Sequence, residues 1–471
     1  MEQSVIDGAI YEKYIVPTKA KSKKFIGIEI EMPIVNLNKK PVEESVIFEM
    51  SKAFCDRFGF KVISRDADGN ANSMADEESG DDLSFDCSYS NLELSLGKGE
   101  NLHQIKERFD NYYTFINDFF SKYNYTLTGM GINPYYKINH NYPIQNERYR
   151  MLYHHLHTYK KYENKGFAFH HYPEFGTFTS ASQVQIDIFY DDLIPVINTF
   201  TKLEPFKSLM FSNSVLPEEP DLLCARNMLW ERSMQGYNPH NIGMFEYELK
   251  DADDLVEYIK STSIYCTMRN GRYINFEPVP ITEYLKLDKI SGEYFDGNEY
   301  QSIEFEPCLD DLEYLRTFKF EDLTFRGTIE FRSMCCQPIC DSMSVAAFHI
   351  GLLERVGELH GLLDADNVIY SHGYSAAELQ RMLSKKTLPD FIDEQKLTET
   401  LLRILDLSAS GLKQRGMNEE IFLEPLYKRA KKLSNPAKEM LTGIENGLPL
   451  EHYIKEYSLI RGEHRCVNYS E

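Results

Sequence analysis

Four short segments of the chain carry acidic or amide side chains at every second position. They are FIGIEIEM (25–32), NLELSLG (91–97), SQVQIDIF (182–189) and GTIEFRSM (327–334). Because successive strand residues point to opposite faces, each segment has one apolar and one polar face. The polar faces carry Glu29 and Glu31, Glu93, Gln183 and Gln185, and Glu330 with Arg332. Clustered carboxylates repel one another unless cations neutralise them, so this pattern predicts a divalent-metal site.

Two pairs of charged residues have a spacing that suits chemistry. Glu29 and Glu31 lie about 7 Å apart along one strand face, and Gly27 leaves open space beside them. The pair suits one or two cations; the alternative is the wet face of an edge strand. Arg332 follows Glu330 by two and shares its face. Its guanidinium suits a phosphate or carboxylate, and the alternative is a structural ion pair with Glu330.

A helix predicted to begin after Asn146 offers further candidates. The segment IQNERYRMLYHHL (144–156) places Arg148, Tyr149 and Arg150 in its first turns, where they either contact an anion or are solvated. Five histidines lie nearby: His154, His155, His157, His170 and His171. Without an HExxH motif or a paired-cysteine spacing they are predicted to be partly exposed histidines rather than zinc ligands.

Several familiar enzyme motifs are missing from the sequence. The segment GMGINPYY (129–136) contains only a lone GxG, and no GxxxxGK[ST], GxGxxG or GxSxG occurs. A P-loop, a Rossmann dinucleotide site and a serine hydrolase elbow are therefore disfavoured. The cluster of Cys335, Cys336 and Cys340 is predicted to be core rather than metal ligand.

Composition restricts the partners. The 73 acidic and 51 basic residues give a net charge of −22, which argues against nucleic acid and against an anionic membrane surface. Part of the excess lies in 76–86, which predicts a solvated loop or, alternatively, a mobile flap near the sheet. Nine scattered cysteines, no apolar run of membrane-spanning length and no signal-like N-terminus predict a cytoplasmic protein.

The elements that must position these residues form an α+β fold. Alternating strand polarity favours a mostly antiparallel sheet with helices on its back, including helices over 101–123 and 340–363. Residues 1–22 are predicted to be a poorly tied extension, 23–364 the catalytic domain and 365–471 a helical C-terminal region. Helices are expected there over 376–383, 395–408, 421–432 and 436–446.

Six of these segments resemble one known family. In chain order, the segments match the glutamate–cysteine ligase family: GIEIEM, NLELS, GINP, NERYRML, SQVQIDI and GTIEFRS. Within that family the resemblance is strongest to the bacterial and plant-type carboxylate–amine ligases. The resemblance spans roughly residues 24–360 and does not place the acidic loop 66–86 or the C-terminal region. It implies a glutamine-synthetase-like domain whose curved antiparallel sheet holds ATP, magnesium and glutamate on its concave face.

The resemblance also implies a role for each polar residue. Glu29, Glu31, Glu93 and Glu330 would hold Mg²⁺, and Arg332 beside Glu330 would meet the ATP phosphates or an acyl phosphate. Gln183 and Gln185 would line the same face near nucleotide and substrate. Arg148 and Tyr149 would help to hold the substrate amino acid.

The function expected from this resemblance is an ATP-dependent ligase that forms a γ-glutamyl amide through γ-glutamyl phosphate. Cysteine is the default acceptor, and another amine in a biosynthetic pathway is the alternative. A non-catalytic ATP-binding regulatory relative is a further alternative, although it has little reason to keep a repulsive cluster of charges. A metal-dependent hydrolase is a third, which would need a metal but no ATP.

Overall fold

A nine-stranded antiparallel sheet organises the chain in the computed structural model, which describes residues 3–460. Numbered in chain order, the strands are β1 (Ile26–Asn36), β2 (Lys61–Arg65), β3 (Ala71–Ala75), β4 (Asp82–Phe85), β5 (Asn91–Gly99), β6 (Tyr125–Leu127), β7 (Ser182–Asp187), β8 (Ile242–Gly243), β9 (Ser263–Arg269), β10 (Arg272–Pro280), β11 (Ile290–Phe295), β12 (Tyr300–Phe305), β13 (Phe318–Lys319), β14 (Glu321–Leu323) and β15 (Thr328–Phe331). The large sheet has the order β14-β15-β7-β1-β5-β4-β3-β2, and β6 pairs with the end of β1.

The alternation of polarity along the central strands is confirmed. On β1, Ile28 is 2% exposed and Ile30 is 0% exposed, and both belong to the main core. Leu94 on β5 and Ile186 on β7 lie in the same core, whereas the intervening polar residues face the opposite side. The predicted α+β class, with a large antiparallel sheet, is therefore confirmed.

The described residues contain sixteen α-helices, of which only some cover the apolar face of this sheet. In chain order they are α1 (Gln3–Ile10), α2 (Val16–Lys19), α3 (Glu44–Phe58), α4 (Leu102–Ser121), α5 (Glu147–His157), α6 (Tyr190–Phe211), α7 (Ala225–Glu231), α8 (Ala252–Ser261), α9 (Ile281–Tyr284), α10 (Met343–Leu353), α11 (Val356–Asp364), α12 (Ala376–Leu383), α13 (Glu394–Arg415), α14 (Glu424–Lys432), α15 (Pro436–Glu445) and α16 (Leu450–Glu456). Helix α4 packs on β5 and α10 packs on β7.

Helix α4 shows how local sequence sets these positions. The side chain of Asn101 accepts a hydrogen bond from the backbone N–H of His103 and caps the first turn. Leu102, Ile105 and Phe109 recur at three- and four-residue spacing and are fully buried against the sheet. The helix predicted over 101–123 is confirmed within two residues at each end.

Three predicted helices differ from the structure, one of them because α13 continues seven residues beyond the expected end at residue 408. The single helix expected over 340–363 is two helices, α10 and α11, because Arg355 leaves the helical region at φ −132° and ψ 27°. The side chain of Arg355 instead donates to Ser410 Oγ at 3.1 Å, which ties this corner to α13. The helix expected over 421–432 begins as a 3₁₀ turn, Glu419–Leu423, and becomes α-helical as α14, which has a proline in its first turn.

The N-terminal segment is not poorly tied, so this expectation was wrong. Helix α1, the π-helical turn Tyr11–Ile15 and α2 place Ile6, Ile10 and Ile15 in the main core, each at 0% exposure. Lys21 forms an ion pair with Asp187 at the end of β7. Burial of three isoleucines explains the attachment, since each removes a large apolar side chain from water.

The acidic run 76–86 is neither a wholly solvated loop nor a flap, and this expectation is also corrected. Strands β3 and β4 form a hairpin between β5 and the edge strand β2 of the large sheet, with Met74 and Leu83 buried at 0% exposure on its apolar side. Only the turn between them carries exposed acids. The buried Asp81 accepts hydrogen bonds from Arg108 and Tyr112, which compensates its charge.

The C-terminal helices share the core of the rest of the chain. Helix α13 crosses α10 at two glycines, where a Cβ on Gly411 would lie 1.9 Å from the Gly351 carbonyl oxygen. Leu401 and Leu405 of α13 belong to the main core. Residues 365–460 are mainly helical as expected, and the rest of the predicted region, 461–471, lies outside the described residues. The domain boundaries near residues 22 and 364 stay predictions. Across residues 3–460, no helix is long and apolar enough to cross a bilayer.

Candidate active site

The polar face of the large sheet forms the floor of a cleft of about 780 Å³. Strand register sets the floor: Glu31 on β1 lies opposite Glu93 on β5, and Glu29 lies opposite Gln183 on β7. Gln185 lies opposite Glu330 on β15. Helices α5 and α7 and the strands β9 and β10 provide the walls. All nine residues to which the family resemblance assigned a role line this cleft: Glu29, Glu31, Glu93, Arg148, Tyr149, Gln183, Gln185, Glu330 and Arg332.

Three carboxylates form the tightest cluster. Glu31, Asp86 and Glu93 each offer an oxygen within 4.8 Å of the other two. Burial, and then repulsion from Asp86, raises the pKa of Glu31 and of Glu93 to about 8. Burial also raises the pKa of Asp86. An all-oxygen donor set under mutual repulsion fits a hard divalent cation such as Mg²⁺.

A second group of acids lies beside the first. The side-chain N–H₂ of Gln185 donates to Glu29 Oε1 at 2.8 Å and to Glu330 Oε1 at 2.9 Å. Burial raises the pKa of Glu29 well above its usual value, and the charges of Glu330 and Glu93 raise it further. The four glutamates of the sequence analysis therefore form two groups along the floor. Their role as Mg²⁺ ligands stays a prediction.

The two glutamines orient these carboxylates. Gln183 donates to Glu31 Oε1 at 2.8 Å, and the backbone N–H of Ala181 donates to Glu31 Oε2 at 2.7 Å. The Oε1 atom of Gln183 is buried without a hydrogen-bond partner. An unpaired buried acceptor costs free energy, so this atom is suited to a donor from a ligand or from water on a bound cation.

Arginines surround the acids near β15. Arg332 donates to Glu330 Oε2 at 2.5 Å, and its guanidinium lies 4.8 Å from the Phe318 ring centre. Its Nε is buried without a partner, so the ion pair with Glu330 does not use the whole guanidinium. Arg326 donates to Gln185 Oε1 at 2.6 Å. Both interpretations of Arg332, the structural pair and the anion contact, remain compatible with this geometry.

Helix α5 contributes Arg148 and Tyr149. The Asn146 side chain accepts from the Tyr149 N–H at 2.8 Å and caps the helix as expected. Tyr149 Oη donates to the Phe85 carbonyl at 3.0 Å, which fixes the ring beside β4. Arg148 lies in the field of Asp86 and Glu93. Arg150, by contrast, is not part of the cleft and pairs with Glu147 at 2.7 Å.

Sequence reasoning missed much of the lining, including Asp86, Arg226 and Trp230. Asp86 completes the carboxylate cluster, and its signal was its position directly after the strand DLSF in the acidic run. Arg226 on α7 is 5% exposed, donates to the Arg332 carbonyl at 3.0 Å and has a buried Nε without a partner. Trp230, the only tryptophan in the sequence, stacks on Phe318 at 4.1 Å. The isolated Arg226 and Trp230 carried no sequence signal.

The histidines do not form a metal site. His155 is buried and stacks on Tyr265 at 3.6 Å, and burial lowers its pKa to about 3. His154 contacts Glu293 at 3.1 Å, and His170 contacts the Leu229 carbonyl at 2.8 Å. Within residues 3–460, Glu31, Asp86 and Glu93 form the one group of potential metal ligands that lies close enough together. His155 is more buried than the sequence predicted. Cys335 and Cys336 are core residues as expected, whereas Cys340 of the same cluster is only half-buried.

Comparison with known proteins agrees with the motifs. No family model matches the chain. The chain is 24% identical over 274 residues to the chloroplastic glutamate–cysteine ligase of Solanum lycopersicum, which covers 56% of this chain and 48% of that protein. It is 23% identical over 276 residues to the chloroplastic glutamate–cysteine ligase of Brassica juncea, with 56% and 49% covered. The chain spans about half the length of the curated relatives it matches.

Two solved structures are also similar. A glutamate–cysteine ligase from Francisella tularensis in complex with AMP has 11% identity and a TM-score of 0.40, with 93% of this chain and 88% of that chain covered. The ligase PafA in complex with the ubiquitin-like protein Pup has 8% identity and a TM-score of 0.38, with 96% and 75% covered. The curated relatives confirm the resemblance to glutamate–cysteine ligases.

Proposed function

We propose that the chain is an ATP-dependent carboxylate–amine ligase that joins the γ-carboxylate of glutamate to an amine through γ-glutamyl phosphate. The observation that carries the proposal is that one cleft holds both carboxylates, which can bind cations, and arginines, which can bind phosphate. Its floor carries the two carboxylate groups, Glu31–Asp86–Glu93 and Glu29–Glu330, and its β15 end carries arginines. The names of the curated relatives support the same reaction class.

Activation of a carboxylate by ATP explains why the cleft needs both carboxylates and arginines. Joining a carboxylate to an amine in water is unfavourable, so the carboxylate must first be activated. A carboxylate and a triphosphate repel each other when they meet. Mg²⁺ bound to the carboxylates would shield the phosphate charge and stabilise the transferring phosphoryl group. The donor set of Glu31, Asp86 and Glu93 fits that ion, and Glu29 with Glu330 would hold a second one.

The proposed reaction balances in two steps. An oxygen of the glutamate γ-carboxylate attacks the γ-phosphorus of ATP, and the bond from that phosphorus to the bridging oxygen breaks, with ADP keeping the electron pair. The amine nitrogen then attacks the acyl carbon. The carbon–oxygen bond to phosphate breaks, and phosphate leaves with the electron pair and takes the proton that the nitrogen loses.

Arginines of the cleft have a defined part in this scheme. Arg332 and Arg226 each have a buried Nε without a partner, so both have donors left for an anion. Preorganised donors of this kind stabilise developing charge on a phosphoryl oxygen without further reorganisation. Arg148 and Tyr149 at the start of α5 would contact the substrate amino acid on the opposite wall.

Cysteine is the acceptor that the relatives' names supply, and another amine is the alternative. The scattered cysteines, eight of which are unbridged within the described residues, fit a reducing, cytoplasmic location, which is part of the proposal. A regulatory relative without turnover is the competing function. No feature of the cleft favours it over catalysis.

The test is glutamate-dependent phosphate release by the full-length chain with ATP and Mg²⁺. Hydroxylamine serves as a small general acceptor, because it captures an acyl phosphate as a hydroxamate. Aspartate replaces glutamate in the matched control, and EDTA removes the metal. We expect ADP, phosphate and γ-glutamyl hydroxamate with glutamate only, and loss of all three with EDTA.

Other outcomes identify the alternatives. Mass spectrometry of reactions with cysteine and with other amines identifies the natural class of acceptor. Binding of ATP without hydroxamate or amide, whichever amine is added, would assign the chain to the regulatory class. Phosphate release that does not depend on glutamate would indicate a hydrolase.

A further inference from the structure

The polar floor of the cleft continues beyond the carboxylates onto the outer strands of the sheet. A row of five residues crosses five neighbouring strands, and each residue lies opposite the next one. The row consists of Glu31 on β1, Glu93 on β5, Ser84 on β4, Ser73 on β3 and Ser64 on β2. All five line the cleft. With strands about 4.8 Å apart, the three serines extend the floor by roughly 14 Å from Glu93. The phosphoryl-transfer chemistry proposed above uses none of them.

A carboxylate without a cation lies among these hydroxyls. Asp82 lines the cleft, and Ser73 Oγ donates to its Oδ2 at 2.9 Å. Its pKa is raised by burial, and the groups that oppose this are the hydroxyls of Ser73 and Ser84 rather than a lysine or arginine. Such a carboxylate, half-buried among hydroxyls, is suited to an ammonium group or a hydroxyl of a ligand.

An independent observation at the same end is an unpaired amide oxygen. Asn72 is 4% exposed and lines the cleft, and its Oδ1 is buried without a hydrogen-bond partner within the described residues. Buried polar atoms are nearly always paired, so this acceptor lacks a donor that a ligand could supply. Asn72, Asp82 and the three serines together offer oxygen acceptors and hydroxyls but no positive charge.

The opposite end of the cleft has the reverse chemistry. Arg326 and Arg332 supply positive charge there, and the stacked rings of Trp230 and Phe318 form an aromatic wall. Phosphates and a purine ring match that end. The substrate that is left, the acceptor amine, is then assigned to the outer strands.

We infer that the outer end of the cleft is the acceptor site and takes an amine that carries a further hydroxyl or ammonium group and no carboxylate. The assignment rests on the proposed ligase function and selects the alternative to cysteine. A carboxylate on the acceptor would face Asp82, whereas Arg148, the arginine on the neighbouring wall, faces Asp86 and Glu93. Like charges at this distance in a half-buried cleft are unfavourable.

The experiment compares acceptors of similar size with the full-length enzyme. Ethanolamine, 1,3-diaminopropane, n-propylamine and cysteine are each added with ATP, Mg²⁺ and glutamate, and hydroxylamine reports activation of glutamate alone. We expect kcat/KM for ethanolamine or the diamine to exceed that for n-propylamine and for cysteine by at least about tenfold, since a site built for hydrogen bonds rejects ligands that leave them unpaired.

Two variants test whether Asp82 and Ser73 cause the preference for polar amines. Asp82→Asn and Ser73→Ala should lower kcat/KM for the preferred polar amine by about tenfold relative to hydroxylamine, mainly through KM. Ser302→Ala is the matched control, because Ser302 is an exposed strand serine on β12 outside the cleft, and it should change neither value. The KM values for glutamate and for ATP are measured in parallel.

The outcomes separate the two proposals. Hydroxamate formation with cysteine preferred over every polar amine would overturn the acceptor assignment and leave the ligase function standing. In Asp82→Asn and Ser73→Ala, KM for glutamate or ATP could rise instead of KM for the amine. That result would assign the outer strands to glutamate or ATP and would also overturn the acceptor assignment. Failure to form hydroxamate at all would overturn the ligase function and the assignment with it.

Discussion

Glu31 and Glu93 lie directly opposite each other on neighbouring strands, and each has an oxygen within 4.8 Å of a third carboxylate, Asp86. Directly opposed like charges destabilise a sheet, so this arrangement acts against stability unless a cation occupies it. Gln183 and the Ala181 backbone hold Glu31 in place by hydrogen bonds from one side only. The cluster is therefore best explained by function.

Neutral substitutions in the cluster of Glu31, Asp86 and Glu93 test the metal site. Glu31→Gln and Glu93→Gln should each lower glutamate-dependent phosphate release by at least about 100-fold, because a neutral amide neither binds Mg²⁺ well nor shields phosphate. The loss should be partly relieved by raised Mg²⁺ concentration. Glu78→Gln is the control, since Glu78 is exposed in the turn between β3 and β4. Unchanged activity and Mg²⁺ dependence in Glu31→Gln would show that the metal assignment is wrong.

Arg332 distinguishes anion binding from a structural ion pair. Arg332→Ala should raise KM for ATP and lower kcat, together by about 100-fold or more in kcat/KM, and Arg332→Lys should recover part of the loss because it restores charge without the planar fork. Steady-state kinetics and thermal unfolding are measured on both variants and on Arg403→Ala, an exposed control on α13. A lower melting temperature with normal kinetics would assign Arg332 to the pair with Glu330.

Asp311 provides a test of pH dependence away from the cleft. Burial acts to raise its pKa, but hydrogen bonds from Arg269, Thr267, the Cys308 backbone and Tyr284 outweigh this and lower the pKa to about 2. Since the folded pKa lies below the unfolded value near 3.9, the contribution of Asp311 to stability is present above pH 4 and is lost as pH falls towards 2. The shift corresponds to about 2.5 kcal/mol.

Asp311→Asn should therefore lower the free energy of unfolding by about 2 kcal/mol at pH 7, and the gap to the wild type should narrow below pH 4. Urea unfolding of both proteins at several pH values measures the difference in the free energy of unfolding at pH 7 and its decrease below pH 4. Asp310→Asn is the matched control, because Asp310 is exposed and directly adjacent. A gap that stays constant from pH 7 to pH 3 would contradict the assignment.

Arg429 tests how the C-terminal helices are joined to the rest of the chain. Arg429 is 4% exposed, and its guanidinium donates to Gln337 Oε1 at 2.7 Å, the Met210 carbonyl at 3.0 Å and Asp341 Oδ2 at 2.8 Å. Arg429→Ala should lower the free energy of unfolding by about 3–5 kcal/mol, because it removes one partner of a buried ion pair.

Chemical unfolding checks this value, with Lys431→Ala as the exposed control on α14. Adding Asp341→Asn to Arg429→Ala should recover part of the loss, since a neutral amide then replaces the buried carboxylate that paired with Arg429. A single cooperative transition that includes the C-terminal helices is expected from the shared core. Independent unfolding of residues 365–460 would show that these helices form a separate unit.

Local pattern was sufficient for the strands that carry the acids. Alternation on β1 and β7 allows only one register that buries the isoleucines, and this places Glu29, Glu31, Gln183 and Gln185 on one face. Cap and periodicity likewise located α4 and α5. The prediction of a solvated loop or flap for the acidic run 76–86 was wrong because the run is locally as polar as a solvated loop. The buried Met74 and Leu83 are too few to give a recognisable strand pattern.

Side-chain direction in a strand has a period of two residues, so local pattern alone defines the two faces of each strand, one apolar and one of carboxylates and amides. Which of these residues come together depends on the tertiary fold. Asp86, Arg226, Trp230 and the serines of β2 to β4 come to the cleft through strand order and helix packing, which depend on contacts between residues far apart in the chain. Such contacts leave no local periodicity, so local patterns do not show which distant residues meet.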